Sequence, residues 1–294
     1  MAADPGTDVH DSRRFLLLQQ VDVNGREGGD AHVAHAARAG HQAIGGHMDS
    51  MREVSVLFWD LDDTLIATNH LYVETRDAFF LFVSARLDVS EESVKTYFVD
   101  LDAGKVRSTG HIKDRFAESM VFTFDVFAAR VEYKPSAREY GFLRRLGGSV
   151  FERRGDNLPD AMWALETFRR EGYRQVLYSA GDREVQNLRL DWSGLRSCFD
   201  DVEIVGHKTP AMIEATFATL GVKARNVCVI GNSLAQDVTP ALAVGASAIH
   251  LDGAGWEADR ATPDAEKFLV AKDLREVADK VLRHCAYGFA SALV

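Results

Sequence analysis

Two carboxylates separated by one residue, Asp60 and Asp62, follow directly on a short apolar run, in the stretch Asp60-Leu61-Asp62-Asp63-Thr64-Leu65. If that run is a strand, residues two apart leave its end toward the same side. Acids held so close repel one another unless a cation neutralises them or they share a proton. Metal binding and acid/base chemistry are both open on these residues and compatible with each other; an acidic turn without function is the plain alternative. Three further clusters carry related potential. Ser179-Ala180-Gly181 joins a hydroxyl to a flexible backbone suited to cradling a phosphate. Lys208 stands just ahead of Thr209-Pro210, and Gly231-Asn232-Ser233-Leu234-Ala235-Gln236-Asp237 is a turn with oxygen donors at both ends. Mg²⁺ takes oxygens in octahedral array and keeps several waters, so Asp60, Asp237 and Asn232 are candidates for the protein's share. Singly these signals are weak, because most Ser-x-Gly turns are only turns and most lone lysines are solvated.

What would position these groups is a set of buried strands. Val54 to Trp59 is a nearly continuous apolar run, as expected of a parallel strand covered on both faces. Gln175 to Tyr178, Val227 to Ile230, Ala248 to Leu251 and Val202 to Val205 read alike. Helical stretches lie between them, at Pro159 to Arg170, Pro210 to Leu220 and Pro240 to Val244. Thr209-Pro210 and Thr239-Pro240 each set a capping hydroxyl before a first-turn proline. Strands alternating with helices predict an α/β domain with a parallel sheet. Each chemical cluster then falls at the carboxyl end of a strand, where open α/β sheets bind ligands. One interval breaks the alternation: Leu71 to Leu87, Glu91 to Leu101 and Ile112 to Arg130 carry apolar residues at helical spacing with no buried strand among them. Such a block reads as an inserted helical domain. Asp273 to His284 reads as an amphipathic helix packed on the sheet.

Composition narrows the class of partner. With 34 Lys+Arg against 44 Asp+Glu the chain is acidic, and no basic stripe with interleaved aromatics supports nucleic-acid binding. No apolar run approaches membrane-spanning length. Arg13-Arg14-Phe15-Leu16-Leu17-Leu18 is too short for a signal peptide. Cys198, Cys228 and Cys285 are widely spaced and form no framework, which fits a reducing, cytoplasmic setting. Residues 1–50, rich in Gly, Ala, Asp and His, lack either periodicity and read as a disordered extension. Their His32, His35, His41 and His47 have no scaffold to fix a metal geometry, and Met48 or Met51 is an alternative start.

The ordered set Asp60-Leu61-Asp62-Asp63-Thr64, Ser179, Lys208 and Gly231-Asn232 with Asp237 resembles the four motifs of the haloacid dehalogenase-like hydrolases, over residues 54–285. The resemblance implies a Rossmann-like, doubly wound parallel sheet core (51–69 and 155–294) with an inserted all-helical cap (70–154). It implies a Mg²⁺-dependent phosphatase acting on a small phosphorylated metabolite. Asp60 would be the nucleophile that forms an aspartyl-phosphate, and Asp62 the acid that protonates the leaving oxygen and then deprotonates water. Ser179 and Lys208, with the backbone of Ala180 and Gly181, would hold the phosphoryl oxygens. Mg²⁺ would be bound by Asp60, the backbone carbonyl of Asp62, and Asp237. The pattern usually has an acid where this chain has Asn232, so weaker metal binding is expected. Two alternatives follow from the same resemblance: a carbon–halogen hydrolase, whose family members lack the second acid and use no metal, and a silent member that binds a phosphorylated ligand or a protein. A cap would exclude water and choose the substrate. Phe79, Phe80, Phe82 and Phe122-Thr123-Phe124 are expected in the cap's own core before its pocket, and Trp59 in sheet packing.

Overall fold

The computed structural model of the chain describes residues 54–110, 112–253 and 267–290. The extension at 1–50, with its histidines and the alternative start at Met48 or Met51, lies outside the described residues.

In chain order, β1 (Val56–Trp59) and the two-residue β2 (Ile66–Ala67) precede four helices, α1 (Asn69–Leu87), α2 (Glu91–Thr109), α3 (Arg115–Arg130) and α4 (Ala137–Gly148). The two-residue β3 (Asp156–Asn157) follows, then α5 (Ala161–Arg170), β4 (Arg174–Ala180), α6 (Arg183–Ser193), β5 (Asp201–Val205) and α7 (Pro210–Leu220). The chain continues through β6 (Val227–Gly231), α8 (Thr239–Ala243), β7 (Ser247–Leu251), β8 (Leu269–Ala271) and α9 (Leu274–Ala290). Six parallel strands form one sheet in the order β5-β4-β1-β6-β7-β8. The order reverses at β1, with β4 on one side and β6 on the other, so a crevice opens beyond their carboxyl ends.

Strand side chains alternate between faces, and both faces are covered. Leu57 and Trp59 pack on one side with Ala164, Leu165 and Phe168 of α5; Trp59 lies 5.7 Å from the Phe168 ring, within the sheet packing expected of it. Val56 and Phe58 pack on the other side with Tyr178 and with Phe217 of α7. The strands read from the sequence are all present, and β8 joins them at the sheet edge.

Helices α1–α4 enclose a separate apolar core. Phe79, Phe80 and Phe124 are buried inside it and Phe82 packs against it, but Phe122 points outward, 48% exposed, beneath Lys105. α2 runs on to Thr109, past its expected end at Leu101. α4 was not anticipated; Ser136 and Glu139 start it with a reciprocal capping box. β2 and β3 pair antiparallel, Ile66 with Asn157 and Ala67 with Asp156, so the chain enters and leaves the helical unit at adjacent points.

One expected helix start is corrected. Thr209 caps α7, accepting from the Met212 amide at 3.2 Å. Thr239 does not cap α8: its hydroxyl donates to the Leu234 carbonyl at 2.7 Å, because a π turn over Leu234–Val238 runs straight into that helix. The cap belongs to Ser233, which accepts from the Gln236 amide at 3.0 Å.

Candidate active site

Asp60 is the first residue beyond β1, and its amide extends the ladder by donating to the Ile230 carbonyl of β6 at 3.0 Å. The carboxylate so placed accepts from Lys208 Nζ at Oδ1, 2.5 Å, and from the Thr64 hydroxyl at Oδ2, 3.2 Å. Lys208 reaches in from the loop after β5, and its Nζ also donates to Asp237 Oδ1 at 2.5 Å. Lys208, Asp60 and Asp237 are all buried. Asp237 sits on the π turn, where the Ser233 amide donates to its Oδ2 at 3.0 Å. Gly231 makes this possible: a Cβ there would lie 2.1 Å from Asp237 Oδ2. Thr64 also ties in Asn232, whose amide donates to the threonine hydroxyl at 3.1 Å and whose Oδ1 lies 3.3 Å from it. Asp60, Lys208, Asn232 and Asp237, far apart in sequence, thus meet over the ends of β1 and β6.

Asp62 takes different partners. Its Oδ2 accepts from Arg189 Nη1 at 2.7 Å and from Gln186 Nε2 at 2.8 Å, both on α6. Asp63 turns the other way, at φ 59°, and accepts from the Thr68 and Asn69 amides, each at 2.8 Å, at the start of α1. Ser179 ends up 1% exposed, with an Oγ that makes no hydrogen bond among the described residues. It does not line the pocket, whereas Ala180 and Gly181 do.

The charges strain one another. Burial raises the Asp60 carboxyl to about 7, with Asp237 and Asp62 adding to the rise and Lys208 opposing it. Burial would lower the Lys208 ammonium, but Asp237 and Asp60 overcome this and hold it above the ordinary lysine range. Burial likewise opposes the Arg189 charge, and Asp62 and Tyr72 outweigh it, again raising the group.

These groups line a cavity of about 180 Å³, closed on its far side by Tyr72, Arg76, Asp102, Arg115, Phe116 and Phe151 of the helical unit and its following turn. Arg115 is ion-paired with Asp102. Reading the sequence missed these residues and missed Gln186 and Arg189. The polar ones signalled only as polar side chains on the inward face of helical stretches, which periodicity alone assigns to solvent, and Phe116 and Phe151 read as apolar core of the helical unit. A larger depression of about 680 Å³, around Tyr97 and Arg130, shares none of these residues and lies open on the helical unit.

A divalent cation fits the donors in kind. Among the described residues no three acidic, imidazole or thiol side chains are grouped as a metal cage. Asp60, Asp237 and Asn232 nevertheless bring two carboxylates and an amide oxygen to one cavity, and among the described residues Asp60 Oδ2 and Asp237 Oδ2 accept from neutral donors, Thr64 and the Ser233 amide. Hard oxygens in that number suit Mg²⁺, which keeps much of its water.

Residues 54–245 match the family model described as haloacid dehalogenase-like hydrolase. No curated protein matches. Among solved structures, a haloacid dehalogenase-like family hydrolase from Xanthomonas campestris is 20% identical, with 81% of this chain and 95% of that one covered and a TM-score of 0.65. A predicted phosphoglycolate phosphatase from Haemophilus somnus is 16% identical, covering 77% and 97% at a TM-score of 0.54. The L-2-haloacid dehalogenase of Xanthobacter autotrophicus is 15% identical, covering 78% and 98% at a TM-score of 0.52. At such identities the likeness is one of fold, and it spans phosphatases and dehalogenases alike.

Proposed function

Since this chain belongs to the haloacid dehalogenase-like hydrolases, we propose that it hydrolyses a small phosphomonoester through an aspartyl-phosphate on Asp60, with Mg²⁺ as cofactor. The observation that carries this is Asp62: a second acid lines the same cavity, with a buried Oδ1 that accepts no hydrogen bond among the described residues. Displacing a halide needs no proton donor, whereas expelling an alkoxide from phosphorus does.

Asp60 attacks phosphorus as the bond to the leaving oxygen breaks, and Asp62 supplies the proton that oxygen takes up. Water then attacks the phosphorus, the bond to Asp60 breaks, and Asp62 accepts the water's proton. Lys208 keeps Asp60 charged and, with the Ala180 and Gly181 backbone at the cavity wall, holds the phosphoryl oxygens. The Ser179 Oγ, expected among these donors, lies off the cavity lining. Bound at Asp60, Asp237, Asn232 and the Asp62 carbonyl, Mg²⁺ would offset nucleophile–phosphate repulsion. The helical unit acts as the cap: Tyr72, Phe116 and Phe151 shut out bulk water, and a cavity well below the roughly 300–1,000 Å³ of drug-sized sites favours a small ester.

The test is phosphate release from 4-nitrophenyl phosphate by the full chain, with and without Mg²⁺, beside halide release from a 2-haloacid. Magnesium-dependent phosphate release that Asp60→Asn abolishes is the expected result. Metal-independent halide release with no phosphate release would overturn the proposal.

A further inference from the structure

Arg189 lies where the core helix α6 meets α1 of the helical unit, and it is almost completely buried. Its Nη1 donates to Asp62 Oδ2 at 2.7 Å, while Nη2 lies 3.4 Å from the Tyr72 hydroxyl, with the guanidinium 5.8 Å from the Tyr72 ring centre. Gln186, one turn earlier on α6, donates to the same Oδ2 at 2.8 Å. Asp62 Oδ1 is left buried and without a partner among the described residues. Two donors on one oxygen fix the plane of the carboxylate and sort its two oxygens into an anchored one and a working one.

We propose that Arg189 is a positioning residue for proton transfer: seated by Tyr72 of the helical unit, it anchors Asp62 through Oδ2 and so commits Oδ1 to the substrate's leaving oxygen. In the first half-reaction the Asp60–phosphorus bond forms, the bond to the leaving oxygen breaks, and the proton moves from Oδ1 to that oxygen. In the second, the water–phosphorus bond forms, the Asp60–phosphorus bond breaks, and a water proton returns to Oδ1. Because the anchor is held from both sides, a correctly aimed acid depends on the helical unit being seated. This inference rests on the phosphatase function proposed above.

An arginine that only neutralised Asp62 would affect all esters alike, whereas one that aims the proton matters most when the leaving group is poor. The experiment compares kcat/KM for 4-nitrophenyl phosphate and phenyl phosphate, with Mg²⁺, in the wild-type chain, Arg189→Met, Arg189→Lys and Tyr72→Phe. Arg189→Met is expected to slow both esters, with phenyl phosphate losing about 100-fold and 4-nitrophenyl phosphate at least tenfold less than that. Arg189→Lys, which keeps one donor, should recover part of the difference, and Tyr72→Phe should show the same trend more weakly. If Arg189→Met does not fold, Arg189→Lys and Tyr72→Phe carry the same comparison. Equal losses on both esters, or none, would overturn the positioning role alone. A wild-type chain that releases phosphate from neither ester would overturn the phosphatase function and this inference with it.

Discussion

Asp60 illustrates how far a buried carboxylate depends on its neighbours. With its carboxyl raised to about 7 by burial and by Asp237 and Asp62, the ionised form is costly in the folded chain. Asp60→Asn removes that cost while Lys208 keeps Asp237 as a partner. The variant should therefore lose at least about 10⁴-fold in kcat yet melt no lower than the wild type, as followed by circular dichroism. Asn232 lines the same cavity, and its amide oxygen lies 3.3 Å from the Thr64 hydroxyl. Asn232→Asp adds a charge there, and the magnesium midpoint for phosphate release should fall about tenfold. An unmoved midpoint would mean that this side chain does not face the ion.

Among the elements, α4 offers a test that owes nothing to catalysis. Glu139 closes its capping box and also accepts from Tyr133 at 2.8 Å and from Arg86 at 2.6 Å. Burial would raise its carboxyl, but the Ser136 amide and hydroxyl, Tyr133 and Arg86 lower it from the ordinary 4.5 to about 2. A depressed acid adds stability above its unfolded pKa and surrenders it as pH falls through the folded one. Glu139→Gln should thus lower the melting temperature at pH 7, and the gap from wild type should close between about pH 4.5 and pH 2. Legibility followed the same physics. Five of the six strands of the sheet could be read because burial leaves largely apolar runs, and the motif residues because they sit where those runs stop; β8, three residues long with Val270 exposed, could not. β2 and β3 could not: each has two residues, and only their pairing with each other makes them strands. α6 escaped because Gln186 and Arg189 turn inward to a charged partner, where periodicity expects apolar side chains. Thr239 misled because a hydroxyl before a proline looks the same whether a loop or a π turn precedes it.

Across the whole molecule, the helical unit touches the core beside Lys208. The Val106 carbonyl of α2 receives His207 Nε2 at 2.8 Å. Gly110, at φ 79°, lets the end of α2 approach so closely that a Cβ would meet the Gly206 carbonyl at 2.8 Å. Both contacts fall on the two residues before Lys208. Gly110→Val would strain the turn and push the unit off this loop. Activity should drop by about 100-fold, as small misplacements of reacting groups do, with far-ultraviolet circular dichroism unchanged. Full activity with an unchanged spectrum would show that the approach is incidental.

The paired strands β2 and β3 have a consequence for how such a molecule can change over time. Because the chain departs and returns side by side, everything between Ala67 and Asp156 hangs from the sheet like a pendant on a clasp. Lengthening, shortening or exchanging that pendant leaves the register of β1 against β4 and β6 undisturbed, and with it the placement of Asp60 at the end of β1. Insertions are best tolerated where their ends lie close together at a surface. Lineages descending from one such ancestor could trade the helical unit while inheriting the sheet and its crevice intact.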